Sequence, residues 1–251
     1  MKRIITISLI IVSILCAVGF LILNKNKSPA KSPTPQETQQ PQNTTQNSFD
    51  KTKYSTSDPT SIWVVVNKKN GIPESFIPEL VVPDVKLRLS PNEEQMQINK
   101  PTATAIKELF DGAEKEGVTL VFGSGYRSGV LQKQFYDSYK AKDGQKGADT
   151  YSARPGHSEH QTGFSADLDS VGNKCHLEIC WEDTIEGKWI KDNAYKYGFI
   201  IRYPKDKQSI TGYQYEPWHI RYVGKELSQE LHKTNKTLEE FFDMPPAPDY
   251  N

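Results

Sequence analysis

Apolar positions divide the chain into three stretches with different periods. Ile4 to Leu23 is an almost unbroken apolar run behind a basic start, Lys2-Arg3. It is long enough to cross a hydrocarbon core of roughly 30 Å as a helix. A cleaved signal peptide is the competing reading, with Ala17-Val18-Gly19 as a small-residue site. The apolar "FLIL" that follows favours an uncleaved signal anchor over residues 1–27, and Leu15 before Cys16 argues against a lipoprotein signal. On either reading the remainder is exported. Residues 28–57 carry almost no apolar positions; Pro, Gln, Thr, Asn and Ser dominate, so the segment is expected to be a disordered tether.

From 58 to 251 the periods alternate. "SIWVVVNK", "VTLVFGS", "FSADLD", "FIIRY" and "WHIRYV" read as strands, rich in β-branched and aromatic residues. Ile106, Leu109, Phe110 and Ala113 recur at helical spacing, which predicts a helix over about 102–116 ending at Gly117. A second helix follows "YRS", with Val130, Leu131 and Phe135 expected inward. A third spans about 183–197, with Ile185, Trp189 and Ile190 as its stripe and Gly198 as its stop. Two helices close the chain, the last opened by a Thr237/Glu240 capping box. Strands and helices do not alternate as βαβ units, so the expected class is α+β.

Charge changes the picture by exclusion. Lys and Arg number 31 against 31 Asp and Glu, leaving no positive field to bind nucleic acid. Ser28-x-x-Lys31 matches a serine penicillin-binding motif, but it lies in the tether and no K-T-G follows. Cys175 and Cys180 are either a disulfide or two free thiols, because no second cysteine pair exists to complete a structural zinc site.

Three fragments carry candidate chemistry. In "HSEHQTGFSADLD" (157–169), alternation puts Ser165, Asp167 and Asp169 on the face opposite Phe164, Ala166 and Leu168. His160 and Asp167 are then either half of a zinc site or a structural pair. In "YEPWHIRYVG" (215–224), Glu216 and His219 are a base and a third ligand, or plain outward residues beside core Trp218 and Ile220. In "GSGYRSGVLQ" (123–132), Arg127 stands just after a strand and a Gly turn. There it either steadies a carboxylate or oxyanion, or is simply solvated.

In this order, "SGYRS", S-x-H-x-x-G-x-x-x-D and E-P-W-H together resemble the VanY-type D-alanyl-D-alanine carboxypeptidases, a zinc-peptidase group that also includes L,D-carboxypeptidases and D,D-dipeptidases. The resemblance covers roughly residues 60–225. It implies a single zinc-peptidase domain with a small antiparallel sheet flanked by helices. It implies one Zn2+ held by His160, Asp167 and His219, and Glu216 as general base. Arg127 would stabilise the oxyanion or hold substrate, with Gln132, Ser158 and Trp218 lining the substrate pocket. Ser165 stands where the family usually has alanine. The implied substrate is a peptidoglycan stem peptide, cut by a monomer anchored in a bacterial membrane with its catalytic domain outside. The alternatives are L,D-carboxypeptidase activity and a wall-binding module without catalysis; a retained base and arginine argue against the latter. His157, His176 and His232 are expected to be solvated or locally bonded.

Overall fold

The computed structural model describes residues 49–250. The anchor expected over 1–27 lies outside the described residues, as does the tether up to residue 48; no helix among the described residues is long and apolar enough to cross a membrane. The tether boundary moves. Residues 49–57 belong with the folded unit, because Phe49 stacks on Trp63 and meets Phe241 edge-on, with ring centroids 5.5 and 5.2 Å away. Two aromatic rings in a polar tract, Phe49 and Tyr54, are enough to seat it against Trp63.

The architecture is α+β. Leu80–Val81 (β1) and Ile98–Asn99 (β2) form a short antiparallel pair. The larger sheet contains Leu120–Ser124 (β3), Ser165–Ser170 (β4), Phe199–Ile201 (β5) and His219–Tyr222 (β6), in the order β3-β4-β6-β5 with every neighbour antiparallel. Helix Lys100–Lys115 (α1) starts with a proline in its first turn and lays Ile106, Leu109, Phe110 and Ala113 against one face of this sheet. Ala166, Leu168 and Ile220 meet them there, with Trp189 and Ile190 of Ile185–Asn193 (α3). Phe164 belongs to a different cluster, with Val64, Val66 and Ile72. Beyond the four-residue helix Gln208–Thr211 (α4), helices Lys225–Thr234 (α5) and Leu238–Phe241 (α6) close over Trp63 and Val65, and the Thr237/Glu240 capping box is present.

Three expectations are corrected. "SIWVVVNK" is buried but forms no ladder. The carbonyls of Ile62 and Val64 accept from the Arg221 guanidinium at 3.1 and 2.7 Å, so a side chain takes the place of a partner strand. In helix Gly129–Ala148 (α2), which breaks at Gly144 (φ 73), Val130 is 72% exposed, and Gln132 and Tyr136 are buried instead. The inward face of α2 is polar because it borders a cavity rather than the apolar core. Ile185, the first residue of α3, is exposed; Trp189 and Ile190 are buried as expected. Cys175 and Cys180 are joined as a disulfide.

Candidate active site

In the antiparallel register Asp167 on β4 lies directly opposite His219 on β6, and its other neighbour is Ser124 on β3. Side chains paired across strands share a face, so the carboxylate and the imidazole rise together from the sheet. A register shift between Phe122 and Ser124 turns the serine toward them, and its Oγ donates to Asp167 Oδ2 at 2.7 Å. His160 arrives from the 3-10 turn Glu159–Thr162, which Gly163 ends with a φ of 68°; a Cβ there would press on Asn99.

His160 Nε2 lies 3.3 Å from Asp167 Oδ2, and His219 Nδ1 lies 3.1 Å from Asp167 Oδ1. The three buried residues offer ligand atoms that are mutually within 4.8 Å. Tetrahedral zinc with bonds of about 2.0–2.1 Å needs ligand atoms roughly 3.3 Å apart, so both the donor set and its spacing fit. Each outer nitrogen faces an oxygen: His160 Nδ1 lies 2.6 Å from the Gly125 carbonyl, and His219 Nε2 lies 3.5 Å from Glu159 Oε2, an ion-pair distance rather than a hydrogen bond. An imidazole oriented from behind in this way presents its remaining nitrogen to a metal. Gly125 is needed for the close approach, since a Cβ there would collide with the Gln97 carbonyl and the Phe122 ring.

Glu159 is the residue that sequence reasoning missed, although it sits between Ser158 and His160. Its side chain is fully buried and accepts from Arg202 Nε at 2.8 Å and Arg221 Nη1 at 2.6 Å. Arg202 also forms a forked pair with Glu239 at 3.0 and 2.6 Å. Two guanidiniums and two carboxylates thus neutralise one another beneath His219. The only signal in the sequence was two arginines at alternate positions from apolar residues on predicted strands.

Electrostatics follow from this arrangement. Burial alone would raise the Asp167 carboxyl, but the imidazoles of His160 and His219 hold it well below its ordinary value. For Glu159, burial is likewise outweighed, here by Arg221 and Arg202, and its carboxyl stays low. Burial opposes charge on His219, yet its contacts with Asp167 and Glu159 lift it to about 9. A proton on that ring must leave before Nδ1 can bind a cation. Zinc affinity should therefore rise with pH up to about 9 and weaken roughly tenfold per unit below it. Competition titrations with a chromophoric chelator at three pH values measure this slope; a flat profile would contradict it.

Glu216 is held where β6 begins: its N–H donates to the Tyr203 carbonyl at 3.1 Å, and its own carbonyl accepts from His219 N at 3.2 Å. Its Oε2 lies 3.9 Å from His219 Nδ1. Burial pushes its carboxyl up to about 8, reinforced by Asp167 and opposed by His219 and Arg127. Arg127 Nη2 lies 3.9 Å from Asp167 Oδ2, and Nη1 donates to Gln132 Oε1 at 3.0 Å. Its buried Nε has no partner among the described residues. Ser158 and Trp218 border the same cavity of about 250 Å³, so all the residues singled out in the sequence converge. A larger cavity of about 490 Å³ near Tyr195 and Lys236 contains none of them. The remaining histidines are locally bonded: His157 to the Asn67 carbonyl, His176 to Asp169, and His232 stacked on Tyr195.

Residues 95–225 match the family model for VanY, D-alanyl-D-alanine carboxypeptidase. The chain belongs to the VanY family. It is a zinc metallopeptidase. YodJ of Bacillus subtilis (strain 168), named as a carboxypeptidase by inference, is 45% identical over 187 residues, covering 74% of this chain and 68% of YodJ. Among solved structures, the LD-carboxypeptidase LdcB is similar with a TM-score of 0.71 and 45% identity, over 74% of this chain and 88% of that one. A mutant of the vancomycin resistance D,D-pentapeptidase VanY, in complex with Zn(II), has a TM-score of 0.59 and 33% identity, over 71% and 97%. The VanY family is zinc-dependent, and His160, Asp167 and His219 are the residues here that fit the ion.

Proposed function

We propose that this VanY-family chain is a D,D-carboxypeptidase that removes the terminal D-alanine from peptidoglycan stem pentapeptides, working outside the membrane from an N-terminal anchor. The observation that carries the reading is the convergence of Glu216 and Arg127 on the same cavity as the metal triad. A module that only bound the wall would need neither. The Cys175–Cys180 disulfide supports export, since such bonds persist in oxidising compartments.

His160, Asp167 and His219 would hold the zinc ion, which would supply Lewis-acid polarisation to the scissile carbonyl and a water molecule. Glu216 takes a proton from the attacking water. Hydroxide adds to the carbonyl carbon, and the C–N bond breaks as the same carboxyl returns the proton to the departing D-alanine amine. Arg127, positioned by Gln132 and Asp167, offers its guanidinium to the developing oxyanion or to the substrate carboxylate. Buried Ser158 lines the same cavity.

Similarity to LdcB favours a second reading, release of D-alanine from tetrapeptide stems. The zinc-loaded chain incubated with each stem separates the two. D-alanine from the pentapeptide is the expected result, and release from the tetrapeptide alone would replace the first reading by the second.

A further inference from the structure

The catalytic residues leave the disulfide loop unexplained. Its place in the fold is specific. The loop leaves β4 at Ser170, three residues after Asp167, and returns to the 3-10 turn Ile179–Asp183. The Cys175–Cys180 bond closes it, and Cys175 packs against the main core. His176 Nδ1 lies 2.7 Å from Asp169 Oδ2, tying the loop to the strand that carries the metal-binding carboxylate. Ser170 Oγ donates to the Lys174 carbonyl at 3.3 Å, and Glu178 N to the Cys175 carbonyl at 3.1 Å.

Within this frame Asn173, Cys175 and Leu177 all have left-handed backbones, with φ of 61, 59 and 50°. Such conformations are uncommon for side-chain-bearing residues and persist when their surroundings enforce them. Three apolar groups of this segment, Val171, Leu177 and Ile179, are exposed, and they differ in what they border. Leu177, 43% exposed, is the residue of this loop that borders the cavity containing His160, Asp167, His219 and Glu216.

The cavity has a direction. Of the groups suited to a terminal carboxylate, Gln132 and Ser158 are buried and the Arg127 side chain is only 17% exposed, whereas Leu177 is half open to solvent. A peptide entering by its C-terminus would place its last residues against the buried groups. The chain leading back to the wall would then leave past Leu177.

We propose that Leu177, fixed by the Cys175–Cys180 loop, is a specificity-determining contact for the aliphatic part of the stem peptide upstream of the cleaved D-alanine. The assignment rests on the carboxypeptidase reading above. Leu177 acts through apolar contact with substrate already committed to the cavity. Its loss weakens binding of long substrates and leaves the chemical step alone.

The test compares zinc-loaded wild type, Leu177→Ser, and Cys175→Ser/Cys180→Ser, each on the pentapeptide stem and on acetyl-D-alanyl-D-alanine. Leu177→Ser should raise KM for the pentapeptide about 10-fold, with kcat within about two-fold and the short substrate unaffected. The double cysteine variant should show the same KM rise, and adding Leu177→Ser to it should bring little more, because the two changes remove one contact. An unchanged pentapeptide KM in Leu177→Ser overturns the proposal, as does an equal rise on the short substrate. If wild type cuts only the tetrapeptide, the D,D reading falls, and the comparison on tetrapeptide against a short N-acetylated L,D-dipeptide ending in D-alanine still decides the role of Leu177. A wild type inactive on both stems overturns the two together.

Discussion

Glu216→Ala keeps its zinc and loses at least ~100-fold in kcat, the lower end for removal of a general base. The zinc is retained because Glu216 is not needed to complete the triad: His160, Asp167 and His219 supply three ligand atoms without it. Turnover is lost because, among the described residues, no other carboxylate lining the cavity is available for proton transfer. Asp167 lies between the two imidazoles, and Glu159 is committed to Arg202 and Arg221. Zinc analysis beside D-alanine release on the same preparation reads both halves. Zinc loss in this variant would make Glu216 a ligand, and an unchanged rate would remove it from proton transfer.

Glu159→Ala is the second large effect, and it falls on stability first. Among the described residues, the substitution leaves fully buried Arg202 with Glu239 as its remaining carboxylate and fully buried Arg221 with no carboxylate partner, only backbone carbonyls. Removing one partner of a buried ion pair typically costs about 3–5 kcal/mol. For a domain of this size that lowers the melting temperature by on the order of 10 °C. Arg221 also holds the carbonyls of Ile62 and Val64, so the damage should extend to the segment that covers this side of the sheet. The second consequence is local: His219 Nε2 loses the carboxylate 3.5 Å behind it. Loss of such an orienting partner costs about 10–100-fold in metal affinity. Calorimetry and zinc titration of the folded fraction measure the two effects. Wild-type values in both would show that the quartet neither supports the fold nor orients His219.

What the chain discloses before folding, and what it withholds, has a physical logic. The strands of the main sheet and helix α1 follow local periodicity, and His160, Asp167, Glu216 and His219 sit in short fragments whose backbones are set by near neighbours. Their convergence is a matter of register, Asp167 against His219, and the family motif stood in for it in the sequence. Glu159 was not legible because its partners, Arg202, Arg221 and Glu239, are distant along the chain and meet only in the fold. The same distance misled the reading of "SIWVVVNK", whose buried β-branched run looks like a strand while Arg221 satisfies its carbonyls. Val130 is exposed because α2 turns Gln132 toward Arg127 instead. A helix facing a polar cavity reverses the rule that apolar residues point inward. Phe49 and Tyr54 were hidden by composition, being two aromatic residues in a stretch otherwise typical of a tether.

Zinc content of the purified chain, measured alongside D-alanine release before chelation, after it, and after zinc is added back, tests the shared metal point most directly. The shared metal site predicts one ion per chain, activity that disappears with the ion and returns with about one equivalent, and no ion retained when His160, Asp167 or His219 is replaced by alanine. Full activity in a metal-free chain, or wild-type zinc content in any of those three variants, would contradict it.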